Sequence, residues 1–179
     1  ASTASFLGTV GGGTHALTVT GNAVFGDAAG DTVTGLTTLA VSGTGTINTS
    51  TVTTSGAQTW SGAVTLGADT TLTSSGGGAI GFASTIDGGF ALAVNTAGTT
   101  TFGGAVGGTT MLASLVTDAG GTTAINGASI RTSGAQSYGD SLTLGANTTL
   151  TGATITLGDT VAGGLKPVDH YREHDAFER

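Results

Sequence analysis

One short segment of this sequence has the residue types and spacing of a zinc-dependent catalytic motif. The run His170-Tyr171-Arg172-Glu173-His174 has H-x-x-E-H spacing, which on a helix places two imidazoles and a carboxylate on one face. That chemistry also needs a third protein ligand and an enclosed pocket. Neither is apparent in this segment, so we predict that the chain is not an enzyme and has no metal site and no cofactor.

Two aromatic residues occupy equivalent positions in a repeated phrase. Trp60 and Tyr138 each stand two positions after a glutamine, Gln58 and Gln136 respectively. Exposed aromatic rings in a row could stack on sugars, whereas buried rings would fill the interior or brace a corner. The glutamines could form an internal amide ladder or face solvent. These four residues are therefore the candidate ligand-binding or stacking residues, and the sequence leaves both alternatives open.

Threonine and aspartate recur in patterns that have both a functional and a structural interpretation. Thr-x-Thr pairs, such as Thr71 with Thr73, could form a water-ordering hydroxyl array, but their spacing along the chain is irregular. We expect them on strand faces because threonine favours strands. The aspartates beside Gly or Ala show no calcium-binding repeat, so we expect turn residues at Asp27, Asp31, Asp69, Asp87, Asp118, Asp140 and Asp159.

The elements that position these residues belong to an internal duplication. Segments 54–60 and 66–73 recur as segments 132–138 and 144–151, with a constant offset of 78 positions from Thr54 to Thr132 and from Leu72 to Leu150. A long exact period predicts a repeat architecture, in which each unit buries its apolar face against its neighbours.

Composition favours strands over helices and folding over disorder. Of 179 residues, 34 are Gly and one is Pro, 37% are hydrophobic and 8% are charged, and the mean hydropathy is +0.27. Short alternating apolar triplets, such as Leu17-Thr-Val19 and Ile80-Gly-Phe82, are separated by Gly, Asn, Asp and Ser clusters typical of turns. Strands this short predict an all-β, right-handed parallel β-solenoid rather than a sandwich.

The predicted solenoid has a body and a tail. Coils of about 20 to 26 residues give seven or eight coils and a rod about 35 Å long, with three or four coils in each 78-residue period. We assign residues 1–165 to this body and residues 166–179 to a charged C-terminal tail. Within the tail, Tyr171, Phe177, Arg172 and Glu173 are candidates for an inter-subunit contact or a cap, and a simple junction is the alternative.

Charge excludes some classes of partner. The net charge is −7 and the pI is about 4.4, and Arg131 is the one basic residue before Lys166, so we expect no nucleic-acid binding. No apolar run is long enough to span a membrane as a helix, so we expect no membrane insertion. The chain has no cysteine, which rules out a disulfide-stapled scaffold.

The repeated phrases TTSGAQTW…VTLGADTTLTSS and RTSGAQSY…LTLGANTTLTGA resemble the β-repeats of large bacterial surface proteins of the filamentous-haemagglutinin and autotransporter type. The resemblance covers roughly residues 10 to 165. It implies a secreted β-helical stalk at the bacterial cell surface, with a structural role in adhesion or biofilm formation. The family has no catalytic residues to transfer to this chain.

Other functions remain open beside this one. The chain could be a self-polymerising subunit of an extracellular filament, with itself or neighbouring repeats as partners, because unpaired strand edges of terminal coils must be covered. It could also be a carbohydrate-binding module that recognises surface glycans, or a phage-type fibre. A polysaccharide lyase or hydrolase is the weakest alternative, because the acids are dispersed and bases are nearly absent.

Overall fold

The computed structural model describes residues 2–163, in which every regular element is a β-strand. In chain order the strands are β1 (Thr3–Phe6), β2 (Val10–Val19), β3 (Asn22–Phe25), β4 (Thr32–Val41), β5 (Gly45–Ile47), β6 (Thr51–Thr54), β7 (Gln58–Trp60), β8 (Val64–Leu66), β9 (Thr70–Ser74), β10 (Ile80–Phe82), β11 (Ile86–Asp87), β12 (Ala91–Thr96), β13 (Thr99–Phe102), β14 (Ser114–Thr117), β15 (Thr122–Ile125), β16 (Ser129–Arg131), β17 (Ala135–Tyr138), β18 (Ser141–Leu144), β19 (Thr149–Thr151), β20 (Thr154–Leu157) and β21 (Val161–Gly163).

These strands form three faces around a common interior, which we call the lumen. The first face contains β1, β3, β5, β8, β11, the bridge residue Val106, β16 and β19. The second face contains the first halves of β2 and β4, then β6, β9, β12, β14, β17 and β20. The third face contains the second halves of β2 and β4, then β7, β10, β13, β15, β18 and β21. The chain visits the three faces in this order in every coil.

Stacking of these coils confirms the predicted parallel β-solenoid. The strand pairs among the described residues are all parallel, and about eight coils are present. Residues paired between adjacent coils are mostly 19 to 24 positions apart, as in Val41 with Trp60 and Val106 with Ile130. Eight coils at the usual interstrand spacing give a stack about 34 Å long.

The lumen is filled by the inward residues of the alternating triplets. On the third face, Val41, Trp60, Phe82 and Phe102 follow one another in register, and each is 1% exposed or less. Phe82 and Phe102 stack with ring centroids 5.7 Å apart. Because inward residues of successive coils meet directly, the core is one continuous column along the rod rather than a central cluster.

The corner between the third and first faces is closed by glycines for a steric reason. A Cβ on Gly43 would lie 2.6 Å from the carbonyl oxygen of Gly21, and one on Gly104 would lie 2.7 Å from that of Ser84. Both obstacles are backbone atoms of the preceding coil, which cannot move aside. The glycines therefore allow the chain to turn at the close spacing of the coils.

Candidate functional site

The repeated phrase forms a buried corner organised by a glutamine. Gln58 is fully buried, and its Nε2 donates to the carbonyl of Val52 at 3.2 Å and to that of Thr73 at 3.0 Å. It also lies 3.4 Å from Oγ1 of Thr54, which donates in turn to the carbonyl of Gly56 at 2.6 Å. One side chain thus joins the strand before the corner to the next coil.

The second copy makes the same bonds on a different face. Gln136, also fully buried, donates from Nε2 to the matching acceptors, which are the carbonyls of Ile130 (3.2 Å) and Thr151 (2.8 Å) and the Thr132 hydroxyl (3.3 Å). Gln58 lies on the third face, whereas Gln136 lies on the second. The two glutamines therefore do not stack on each other, and both predicted alternatives, an internal amide ladder and exposure to solvent, are wrong.

Trp60 and Tyr138 are interior residues. Their side chains are 1% and 0% exposed, so the alternative of a sugar-stacking row on the surface is wrong and the lumen-filling alternative is confirmed. The Tyr138 hydroxyl donates to Gln136 Oε1 at 3.0 Å, and burial raises the pKa of this phenol. In the first copy, the indole Nε1 of Trp60 and Oε1 of Gln58 have no hydrogen-bond partner among the groups of residues 2–163. This interior position therefore accepts an aromatic ring that bonds to the glutamine, as Tyr138 does, or one that does not, as with Trp60.

Asp140 lies in the turn between β17 and β18, as the sequence predicts for this aspartate, but its carboxylate is buried. It is 3% exposed and accepts from the Thr123 hydroxyl at 2.8 Å and the Thr117 hydroxyl at 3.3 Å. Burial raises the pKa of Asp140, the two hydroxyl bonds oppose the rise, and the nearby charge of Asp118 adds to it. The duplication offers no signal for this residue, because the matching position in the first copy is Gly62.

Several aspartates connect adjacent coils rather than capping their own turns. Asp69 Oδ1 accepts from the backbone NH of Ala91 at 2.8 Å, and Asp118 Oδ1 accepts from that of Thr96 at 3.1 Å. Asp87 Oδ1 accepts from the NH groups of Thr109 and Thr110 at 2.8 and 3.0 Å. The expectation of local turn bonds is correct for Asp31, which accepts from the NH groups of Asp27 and Ala28, and for Asp159, which accepts from Thr160.

The outer surface of the third face carries a regular column of small and hydroxyl residues. Strand register aligns the outward residue at the centre of each of the eight coils, and we call this set the third-face column: Thr18, Ala40, Thr59, Gly81, Thr101, Ala124, Thr143 and Ala162. Threonine alternates with Ala or Gly throughout. The sequence alone does not show this alternation of threonine with Ala or Gly, because the number of residues per coil varies from one coil to the next.

Charge is distributed unevenly around the rod. The charged residues of the described range lie on or next to the corners that flank the second face, namely Asp27, Asp31, Asp69, Asp87, Asp118, Arg131, Asp140 and Asp159. The third face and its corner with the first face contain no Asp, Glu, Lys or Arg within residues 2–163. The rod therefore has an acidic side and a neutral side.

The predictions for the C-terminal tail lie outside the described residues. These are the H-x-x-E-H run at 170–174 and the candidate contact or cap residues Tyr171, Arg172, Glu173 and Phe177. Within residues 2–163 there is no group of three or more His, Cys, Asp or Glu side chains that could hold a metal ion. The same range contains no helix that is long and apolar enough to cross a membrane.

Comparison with protein-family models, with curated proteins and with solved structures found no match for this chain. What the fold and the interior geometry define is therefore the class of the molecule, a parallel β-solenoid repeat protein.

Proposed function

We propose that this chain is a structural segment of an extracellular bacterial surface protein, a stalk or a fibre-forming adhesin that contributes to adhesion or biofilm formation. The observation that carries the proposal is the uninterrupted stack of parallel coils around one continuous lumen. Such a stack holds neighbouring coils by backbone hydrogen bonds along its whole length, which suits a load-bearing rod. The sequence resemblance to filamentous-haemagglutinin-type repeats points to the same role.

The outer surface supports a long-lived exposed structure. Arg131 is the one Lys or Arg within residues 2–163, and it lies at the end of β16, paired with Thr151 of the next coil. Within residues 2–163, a protease that cleaves at Lys or Arg in an extended segment therefore has one possible site, and that site is held in the paired strands β16 and β19. Persistence outside the cell is consistent with this surface.

A self-assembling filament is the second candidate, and the last described coil favours it. Ile155, Leu157 and Val161 on this coil are 39%, 44% and 46% exposed, although the matching inward positions of earlier coils are buried. Apolar residues exposed on the last described coil favour a further coil on top of them. Residues 164–179 and the first coil of another copy are the two occupants to distinguish.

Display on cells tests the proposed role. Bacteria that display the chain on their surface are expected to attach to abiotic or glycan-coated surfaces, or to each other, more than cells with the anchor alone. The control is Leu72→Asp, which places a carboxylate in the lumen and should unfold the coil. Equal attachment by wild type and control would overturn the adhesion role. Electron microscopy of the purified chain separates the candidates, since a filament subunit gives long fibres and a stalk segment gives short rods.

A further inference from the structure

We propose that the neutral third face is the surface on which two copies of this chain pair side by side, antiparallel, about a two-fold axis between the fourth and fifth coils. This pairing goes beyond the proposed function, which requires a rod but no lateral partner. Three observations carry it, namely the alternating heights of the third-face column, the distribution of charge and the size of the face.

The column alternates ridges and grooves with a period of two coils. Thr59 is exposed and projects from the face, whereas the neighbouring coils present Ala40 and Gly81. Two coils correspond to about 9.6 Å at the usual interstrand spacing. The outward residues two positions before each column residue are also small or hydroxyl-bearing. In coils two to eight they are Thr38, Ala57, Ala79, Thr99, Thr122, Ser141 and Thr160. No bulky side chain therefore interrupts the pattern.

This alternation is self-complementary in one orientation. The proposed two-fold axis brings coil one of one copy onto coil eight of the other, so that every threonine of the column faces Ala or Gly. The resulting pairs are Thr18 with Ala162, Ala40 with Thr143, Thr59 with Ala124, and Gly81 with Thr101. In a parallel arrangement with full overlap, each threonine would meet the same threonine. A two-fold contact is also the commonest way for identical chains to associate.

The distribution of charged residues also favours contact through the third face. Each copy has a net charge of −7, and seven aspartates of the described range lie along the corners of the second face. Contact through those corners would bring like charges together, which is unfavourable at low and moderate salt. The centre of the third face and its corner with the first face carry no charge. The corner between the second and third faces carries Asp118, Asp140 and Asp159, all in coils six to eight. The antiparallel arrangement places these coils beside coils three to one of the partner, whose matching corner has no aspartate.

The size of the face predicts a weak, reversible pair. A strip about 34 Å long and about 13 Å wide buries about 450 Å² on each copy and about 900 Å² in all, which is below the about 1,000 Å² of a stable specific interface and in the range of transient ones. Because the face extends with every added coil, a longer rod of the same kind would pair more tightly. A single chain should therefore show concentration-dependent dimerisation rather than a permanent dimer.

Two matched variants test which face is used. Thr59 and Thr65 are both exposed central residues of three-residue strands, on the third and first face respectively. Thr59→Arg is expected to raise the dimer dissociation constant about tenfold or more in sedimentation equilibrium, because two-fold pairing would place a charge in a neutral contact. Thr65→Arg should leave it unchanged. Equal effects of the two variants, or a wild-type chain that stays monomeric up to millimolar concentration, would overturn the proposal.

Filling a groove separates self-pairing from other uses of a flat hydroxyl face. A Cβ at Gly81 would meet nothing within 4 Å, so Gly81→Thr should fold without strain. It replaces the central groove with a third consecutive threonine and is expected to weaken the dimer. A face that orders water or binds a neutral glycan would keep or gain binding in this variant. Unchanged dimerisation of Gly81→Thr would contradict the interlocked geometry.

Cross-linking tests the orientation, because the chain contains no native cysteine. An equimolar mixture of Gly81→Cys and Thr101→Cys chains, under mild oxidation, should give mainly the mixed 81–101 disulfide dimer. A mixture of Gly81→Cys and Thr59→Cys chains should give little mixed dimer. Circular dichroism and thermal unfolding would show that each variant is folded. A preference for 81–59 over 81–101 would exclude the antiparallel two-fold pair.

Discussion

Gln58 and Gln136 show how polar side chains enter the lumen of this solenoid. At each of the two corners that carry a glutamine, the amide Nε2 donates to two backbone carbonyls, one in its own coil and one in the next. A buried carbonyl without a donor costs about 1–3 kcal/mol, so the amide replaces water that the lumen excludes. The glutamine is therefore a corner brace, and its repetition in the sequence reflects packing rather than ligand binding.

Asp140 makes the stability of the protein depend on pH in a predictable direction. Its carboxyl is buried and its pKa is raised, so the folded state holds the proton more tightly than the unfolded chain does. The contribution of Asp140 to stability is therefore greatest below the ordinary pKa of the carboxyl. It is lost as the pH rises through the raised pKa of the folded state. Asp140→Asn should remove this component, giving a flatter dependence of the free energy of unfolding on pH.

Urea denaturation between pH 3 and pH 7 measures this effect. Wild type and Asp140→Asn should differ in the slope of unfolding free energy against pH, with wild type losing stability relative to the variant as the pH rises. Asp159→Asn is the control, because Asp159 is exposed and accepts one local bond. A parallel pH dependence of wild type and Asp140→Asn would show that Asp140 does not titrate inside the lumen.

At the level of strands, the sequence predicts the elements well and their placement on faces poorly. The triplets at 17–19, 39–41 and 80–82 are strands with inward ends, because period-two alternation and side-chain direction are the same property. Which face a strand occupies depends on the number of strands before it and on turn lengths, which vary between coils. The alternating third-face column and the inter-coil bonds of Asp69 and Asp87 follow from this stacking, so no local pattern could reveal them.

The corner glycines and the face glycines should respond differently to a methyl group. A Cβ on Gly104 would lie 2.6 to 2.9 Å from backbone atoms of Ser84 and Thr85, so Gly104→Ala should destabilise the fold by about 1–3 kcal/mol. Gly81→Ala, with free space around the new methyl, should be neutral or slightly stabilising because glycine weakens a strand interior. Chemical denaturation of the two variants compares them directly. Similar losses in both would show that coil spacing is not set at the corner.

For the whole molecule, the 78-residue duplication has a geometric meaning that refines the predicted three or four coils per period. β6, β7 and β8 correspond to β16, β17 and β18, and each moves to the preceding face. The offset is therefore eleven strand positions, or three and two-thirds coils. Because the glutamine bonds are the same in both copies, two of the three corners of the rod accept this sequence, and a further copy with the same offset would fall at the third corner.

Extending the rod by one repeat tests whether the corners are interchangeable. A second copy of residues 54–131 inserted directly after Arg131 keeps the natural junctions, because Thr54 takes the place that Thr132 has in the parent. The longer chain should fold and be longer by about 18 Å, from eleven thirds of a coil at the interstrand spacing. Small-angle scattering gives the maximum dimension, and thermal unfolding reports cooperativity. An insertion of equal length with Asp at the copied positions of Trp60, Leu66 and Leu72 is the control, and it should not extend the folded rod. If the unaltered insertion also failed to lengthen the particle, the duplicated corner would depend on its particular face, and the solenoid would not be modular.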